Sequence, residues 1–241
     1  IWYNTDNTLI KNNTITGMRA SAIIAGNDST GIKIERNQLY DNGNSAVLIH
    51  GTSTALMSQN SFWNNGLGID LVQSNDIGFG DSVSLNDAND ADSGGNTLLN
   101  YPMVATANIA GANLTLRGCA PAGATLELYE ADVSPTSSSG VAQGSNKFGK
   151  TQDYGEGERY LTSFVEGVGE DTVTTPVDCS TLTDADGNSA IGMSPFQWTI
   201  PTPTGLSVSD LITTTSTISY GSGSSGTSEV TLNTTILTSE F

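Results

Sequence analysis

Hydrophobic positions near the start of the chain recur with a period of 23 to 24 residues. Three segments share one order of apolar, polar and turn-forming positions: TLIKNNTITG at 8–17, IKIERNQLYDNG at 32–43 and ALMSQNSFWNNG at 55–66. A second short apolar stretch follows each of them, at 22–24, 46–48 and 68–70. Because one such repeat cannot bury its apolar face alone, the pattern predicts stacked coils of a parallel β-helix.

Three asparagines take the same position in these repeats: Asn13, Asn37 and Asn60. Stacked asparagines can hydrogen-bond through their amides from coil to coil, and they tolerate turn backbone. We therefore expect these residues to form a ladder at a turn of the β-helix. The alternative is three asparagines in three unrelated turns, but the flanking apolar positions align as well and favour the ladder.

A different pattern begins near Met103, where the period stops and short runs of alternating apolar and polar residues follow. These runs are NLTLRG at 113–118, ATLELYEA at 124–131, FQWTIP at 196–201 and LITTTSTIS at 211–219. Alternation bounded by Gly, Pro and Asp is typical of strands in a β-sandwich. The sequence thus predicts an all-β fold, with parallel β-helix coils over 1–102 and a sandwich over 103–241.

The balance of 25 acidic against 8 basic residues gives a net charge of −17. This charge disfavours nucleic acids and anionic membranes as partners, and no apolar run reaches the roughly 18 residues of a membrane span. The chain begins at Ile1, which indicates a processed product or a piece of a longer protein. Cys119 and Cys179 predict a disulfide formed in an oxidising compartment, with two buried free thiols as the alternative.

Several motifs connect the chain to known families. GLGIDL at 66–71, followed by LNDANDADSGGNTLLNYPMV at 85–104, resembles the end of the right-handed β-helix repeats in large bacterial surface proteins. The second half is similar to the immunoglobulin-like repeats that follow such β-helices in bacterial adhesin-like proteins, through APAGATLELYEAD, YGEGERYL, TDADGNS, FQWTIP and GTSE. The resemblance implies an immunoglobulin-like sandwich and a non-enzymatic structural or adhesive module, outside the cell or at its surface.

The loop at 86–96 is the stronger of two candidate metal sites. It contains three carboxylates, Asp87, Asp90 and Asp92, together with three asparagines. Hard cations such as calcium take oxygen ligands of this kind, so the loop predicts calcium binding. The alternative is a solvated turn that ends the β-helix. The run DADGN at 184–188 is a weaker candidate, because its glycine comes too early for an EF-hand loop and the run is typical of a hairpin turn.

A glycan-binding or polysaccharide-cleaving β-helix is the alternative function. Only fragments of a polygalacturonase-like site are present, in the wrong order and without paired aspartates: Asn4-Thr5-Asp6, Ile32-Lys33 and His50-Gly51. Four aromatic residues are candidates for stacking on surface glycans: Trp2, Tyr3, Tyr40 and Trp63. With so few matching residues, we expect no catalytic site.

The two ends of the chain suggest an assembly. The first predicted coil would expose its open edge, and open strand edges pair with other strands unless something covers them. The segment Val230–Phe241 is rich in Thr and Ile and repeats the TSE motif of 227–229. It is therefore interpreted as a surplus strand that could add to a neighbour, and the alternative is that it closes this domain. Head-to-tail contacts with neighbouring copies or adjacent domains would then build a surface stalk or filament.

Overall fold

The structure is a computed structural model that describes residues 5–73, 83–131, 150, 154–221, 223–231 and 233–238. The elements are β-strands apart from one 3₁₀ turn at Gly95–Leu98, which confirms the predicted all-β class. Within these ranges, no helix is long and apolar enough to cross a membrane. Residues 133–149, together with Trp2 and Tyr3, lie outside the described residues. From its Ser- and Gly-rich composition, the segment 133–149 is expected to form a long loop.

Nine short strands form three parallel sheets that wind through three coils. The strands of the first sheet are β1 (Leu9–Lys11), β4 (Ile32–Glu35) and β7 (Ala55–Ser58). Those of the second are β2 (Thr14–Thr16), β5 (Gln38–Tyr40) and β8 (Ser61–Trp63). Those of the third are β3 (Ile23–Ala25), β6 (Val47–Ile49) and β9 (Ile69–Leu71). The predicted parallel β-helix is therefore confirmed.

The register of the coils follows the aligned apolar positions. Ile10 pairs with Ile34, which pairs with Met57, and the next column is Ile15, Leu39 and Phe62. In the second and third coils these inward-facing side chains are at most 2% exposed. In the first coil Ile10 and Ile15 are only partly buried, because no described coil covers them.

The second half is a sandwich of two sheets around its own apolar core. One sheet has the order β14 (Ser194–Pro201), β11 (Asn113–Ala120), β10 (Met103–Ala110) and β18 (Leu237–Thr238). The other has the order β13 (Gly157–Val165), β12 (Thr125–Ala131), β15 (Leu211–Gly221) and β16 (Ser224–Thr227), and β17 (Thr234–Thr235) also pairs with β15. The second sheet faces the β-helix, since β16 lies against β7 and β13 against β8.

The disulfide between Cys119 and Cys179 joins strand β11 to the long connection that leads from β13 to β14. The Cα atoms are 5.8 Å apart, and both cysteines are at most 7% exposed. Within the same connection, DADGN forms a hairpin turn closed by pairing of Thr183 with Ser189.

The interpretation of Val230–Phe241 as a surplus strand is wrong for its described residues. Val230 is 4% exposed and packs in the β-helix core, whereas Ile236 is fully buried in the sandwich core. Strands β17 and β18 pair within the same sandwich. The interpretation rested on the Thr- and Ile-rich composition and the repeated TSE motif, but Val230 and Ile236 complete the two cores of this molecule. Ser239–Phe241 lie outside the described residues.

Candidate functional site

Asn13, Asn37 and Asn60 stack in successive coils and are joined through their amides. The Nδ2 of Asn13 donates to Oδ1 of Asn37 at 3.2 Å, and the Nδ2 of Asn37 donates to Oδ1 of Asn60 at 3.0 Å. Each receiving Oδ1 also accepts the backbone N–H of the asparagine in the preceding coil, at 2.9 Å. Asparagine can extend such a ladder because its side chain carries both a donor and an acceptor.

A second ladder stands at the next turn and was missed from sequence. The backbone N–H of Met18 donates to Oδ1 of Asn42, and the Nδ2 of Asn42 donates to Oδ1 of Asn65 at 2.8 Å. Asn42 and Asn65 are both fully buried. The signal was present in the sequence, because Asn42 and Asn65 each precede a glycine in the aligned repeats. Met18 interrupts the ladder in the first coil, which made the column hard to recognise.

Three buried carboxylates of the sandwich cover the last coil. Backbone N–H groups of this coil donate to Glu127 from Gln59 at 2.9 Å, to Glu156 from Asn65 at 2.8 Å and to Glu229 from Leu71 at 2.8 Å. All three glutamates are at most 4% exposed. Each lies in one of the sandwich motifs recognised above, but sequence reasoning assigned them no role. We refer to Glu127, Glu156 and Glu229 as the carboxylate cap.

Glu156 ends the second asparagine ladder. Its Oε1 accepts from Nδ2 of Asn65 at 2.7 Å, and its Oε2 accepts the backbone N–H of the same residue. An ionised carboxylate accepts hydrogen bonds but cannot donate one. A carboxylate in the next ladder position therefore satisfies the last amide and stops the pattern, whereas another asparagine would leave its own N–H₂ group to be paired.

Glu127 and Glu229 cover the other parts of the coil. Glu127 also accepts hydrogen bonds from the hydroxyls of Ser58 and Tyr129. Glu229 also accepts the backbone N–H of Ser84 at 2.9 Å. Complete burial, with the neighbouring charge of Asp70 as the next cause, raises the pKa of Glu229 well above its usual value. Burial therefore favours the protonated form of this carboxyl group.

Neutral side chains cover strand β7. Asn96 accepts the N–H of Ala55 at 2.6 Å and donates to its carbonyl, and Thr227 accepts the N–H of Met57 at 2.8 Å. Asn96, Thr97 and Leu98 all have positive φ values, of 48°, 59° and 54°. Left-handed backbone costs roughly 1–2 kcal/mol per residue. The bonds that Asn96 makes to Ala55 offset part of this cost.

The structure brings the three predicted metal-ligating residues together. One carboxylate oxygen from each of Asp87, Asp90 and Asp92 lies within 4.8 Å of the others. Asp87 accepts the N–H of Ala91, and Asp90 accepts the N–H of Asn100. Burial, followed by the charges of Asp87 and Asp90, raises the pKa of Asp92 to about 6. A bound cation would relieve this repulsion.

Four of the described candidate residues for sugar recognition or cleavage make contacts within the fold. The rings of Tyr40 and Trp63 stack on each other at 4.2 Å and 8°, so each covers one face of the other. Asp6 accepts hydrogen bonds from both the N–H and the hydroxyl of Thr30. His50 follows β6, and its backbone N–H donates to the carbonyl of Ala25.

Residues 1–119 match the family model of the right handed beta helix region. This stretch includes all three coils, the aspartate-containing loop at 86–96, strand β10 and most of strand β11. The match and the parallel coils together show that the first part of the chain has the right-handed β-helix fold, against which the sandwich packs through the carboxylate cap. A search of curated proteins gives no match.

Proposed function

We propose that this chain is a non-enzymatic structural or adhesive module of an extracellular or cell-surface protein, and that its sandwich is immunoglobulin-like. The observation that carries the proposal is the carboxylate cap. Because the sandwich supplies buried acceptors to the last coil, the two parts meet in a fixed orientation and not through a flexible linker. A stiff joint of this kind suits a protein that transmits position or force along a surface stalk.

Other features agree with this location and role. The disulfide suits an oxidising compartment, and the net charge of −17 keeps the protein soluble and away from polyanions. The partly buried Ile10 and Ile15 at the first coil support docking of a neighbouring copy or an adjacent domain, head to tail. Such a contact would continue the stack of coils, because Ile10 and Ile15 already lie in register with the inward-facing side chains of the next coil.

We further propose that Asp87, Asp90 and Asp92 bind calcium. The convergence of three carboxylates in one loop favours this, together with the raised pKa of Asp92. The loop is held to the sandwich by two backbone hydrogen bonds. The N–H of Asn89 donates to the carbonyl of Ile191, and the N–H of Ser189 donates to the carbonyl of Asn86. A cation would therefore stiffen the same joint that the carboxylate cap closes.

Electron microscopy and sedimentation over a range of protein concentrations test the structural role. We expect end-to-end assemblies that grow with concentration, and we expect Ile10→Asp to prevent them while circular dichroism stays unchanged. Assays with pectate, polygalacturonate and a glycan array run in parallel. Particles that remain single at every concentration would contradict assembly, and release of sugar products would establish the enzymatic alternative instead.

A further inference from the structure

One short segment near the chain end packs into both halves of the molecule. We call the described residues 226–231 and 233–236 the closing strap. Val230 is part of the β-helix core at 4% exposure, and Ile236 is part of the sandwich core at 0%. The strap thus inserts one apolar side chain into each of two separate cores, six residues apart in sequence.

The fit to the β-helix depends on a glycine. A Cβ atom added at Gly68 would lie 3.2 Å from Cγ2 of Val230, so the coil leaves space for this side chain. On the sandwich side, Asn233 approaches Gly155 even more closely, since a Cβ there would lie 2.0 Å from the Oδ1 of Asn233. At both places a side chain of the strap occupies space that a residue larger than glycine at position 68 or 155 would fill.

Polar contacts of the strap also reach both halves. Thr227 and Glu229 accept the backbone N–H groups of Met57 and Leu71 in the last coil. Thr231 donates its hydroxyl to the carbonyl of Pro102 at 2.7 Å and its N–H to the carbonyl of Thr214 at 2.9 Å. Without the strap, these coil N–H groups would lose their acceptors, and buried donors without partners are costly.

We propose that the closing strap couples the two halves, so that the β-helix and the sandwich fold and unfold as one cooperative unit. Both cores contain a side chain of the closing strap, so each core is incomplete until the strap has packed against it. The closing strap therefore completes the core of the β-helix, whose first strand, β1, lies near the other end of the sequence. This inference concerns folding and does not depend on the proposed function.

Hydrogen exchange of the full chain, measured by mass spectrometry under native conditions, tests the coupling. Val230→Ala alters a contact in the β-helix core, and Ile236→Ala alters one in the sandwich core. We expect each variant to accelerate exchange in β4–β6 and in β11 and β14 by the same factor, of ten or more. Thr235→Ala, an exposed change within the strap, is the control and should leave both rates unchanged. Acceleration confined to the half that contains the altered contact would overturn the proposal.

A second measurement isolates the strap itself. A protease site inserted next to the exposed Gly223 allows the folded chain to be cut while the closing strap keeps all of its residues. We expect the carboxyl-terminal fragment to stay bound during gel filtration, and dilution to accelerate exchange in both halves together as the fragment dissociates. Loss of the fragment with unchanged exchange in either half would refute the coupling.

Discussion

Replacement of Glu156 by Gln tests the carboxylate cap with a nearly isosteric change. Both oxygens of Glu156 accept hydrogen bonds from Asn65, one from the backbone N–H and one from the side-chain amide. Glutamine offers only one acceptor oxygen, and its own N–H₂ group must then face a second donor. We expect Glu156→Gln to destabilise the protein although the side chain keeps its size.

The magnitude follows from the contacts that are lost. A hydrogen bond to a charged acceptor contributes about 1.5–3 kcal/mol, and leaving a buried donor without a partner costs about 1–3 kcal/mol. These terms overlap, because the lost bond and the unpaired donor are the same event. We therefore expect the free energy of unfolding to fall by about 2–3 kcal/mol for Glu156→Gln, and by somewhat more for Glu156→Ala.

Urea denaturation followed by circular dichroism measures this difference through the midpoint at constant slope. The matched control is Glu158→Gln, the same change two residues along the chain at an exposed position, which should alter the free energy by less than about 0.5 kcal/mol. If Glu156→Gln were as stable as its control, the buried carboxylate would not be what satisfies the last coil, and the proposed role of the cap would be wrong.

Three further predictions concern the ladder, the disulfide and the acidic loop. Asn37→Ala should lower the free energy of unfolding by about 3 kcal/mol in the same assay, because the buried Asn60 loses its amide donor; an effect no larger than that of the exposed Asn13→Ala would argue against the ladder. Reduction of the disulfide, which closes a separation of 60 residues, should cost about 4 kcal/mol; equal urea midpoints with and without reductant would contradict this. In the folded protein the pKa of Asp92 is about 6, above the unfolded value of about 4. With EDTA present, the stability that this group contributes is complete below the unfolded pKa and is lost as pH rises through the folded pKa. Asp92→Asn should remove that component of the pH dependence. Calcium should raise the melting temperature of the unaltered chain but not that of Asp92→Asn. If the stability of both proteins depended on pH in the same way, the raised pKa of Asp92 would be refuted.

The sequence by itself determined the repeating part of the fold. The period of 23 to 24 residues placed Ile34 and Leu39 inside and aligned Asn37 with its neighbours, because every coil in a solenoid sees the same environment. Alternation likewise predicted the sandwich strands at 113–118 and 196–201, which lie within β11 and β14. These features are local or periodic, and so a pattern of residues is enough to recognise them.

Only the tertiary structure decided how the β-helix ends. Glu127, Glu156 and Glu229 lie 68, 91 and 158 residues from the N–H groups that they accept, and no spacing rule connects such distant positions. From sequence they are ordinary acidic residues in strands and turns. The same holds for Val230, which looked like part of a spare strand until its side chain was found in the β-helix core. A repeat predicts its own continuation, whereas its termination depends on a surface that forms only when the rest of the chain has folded.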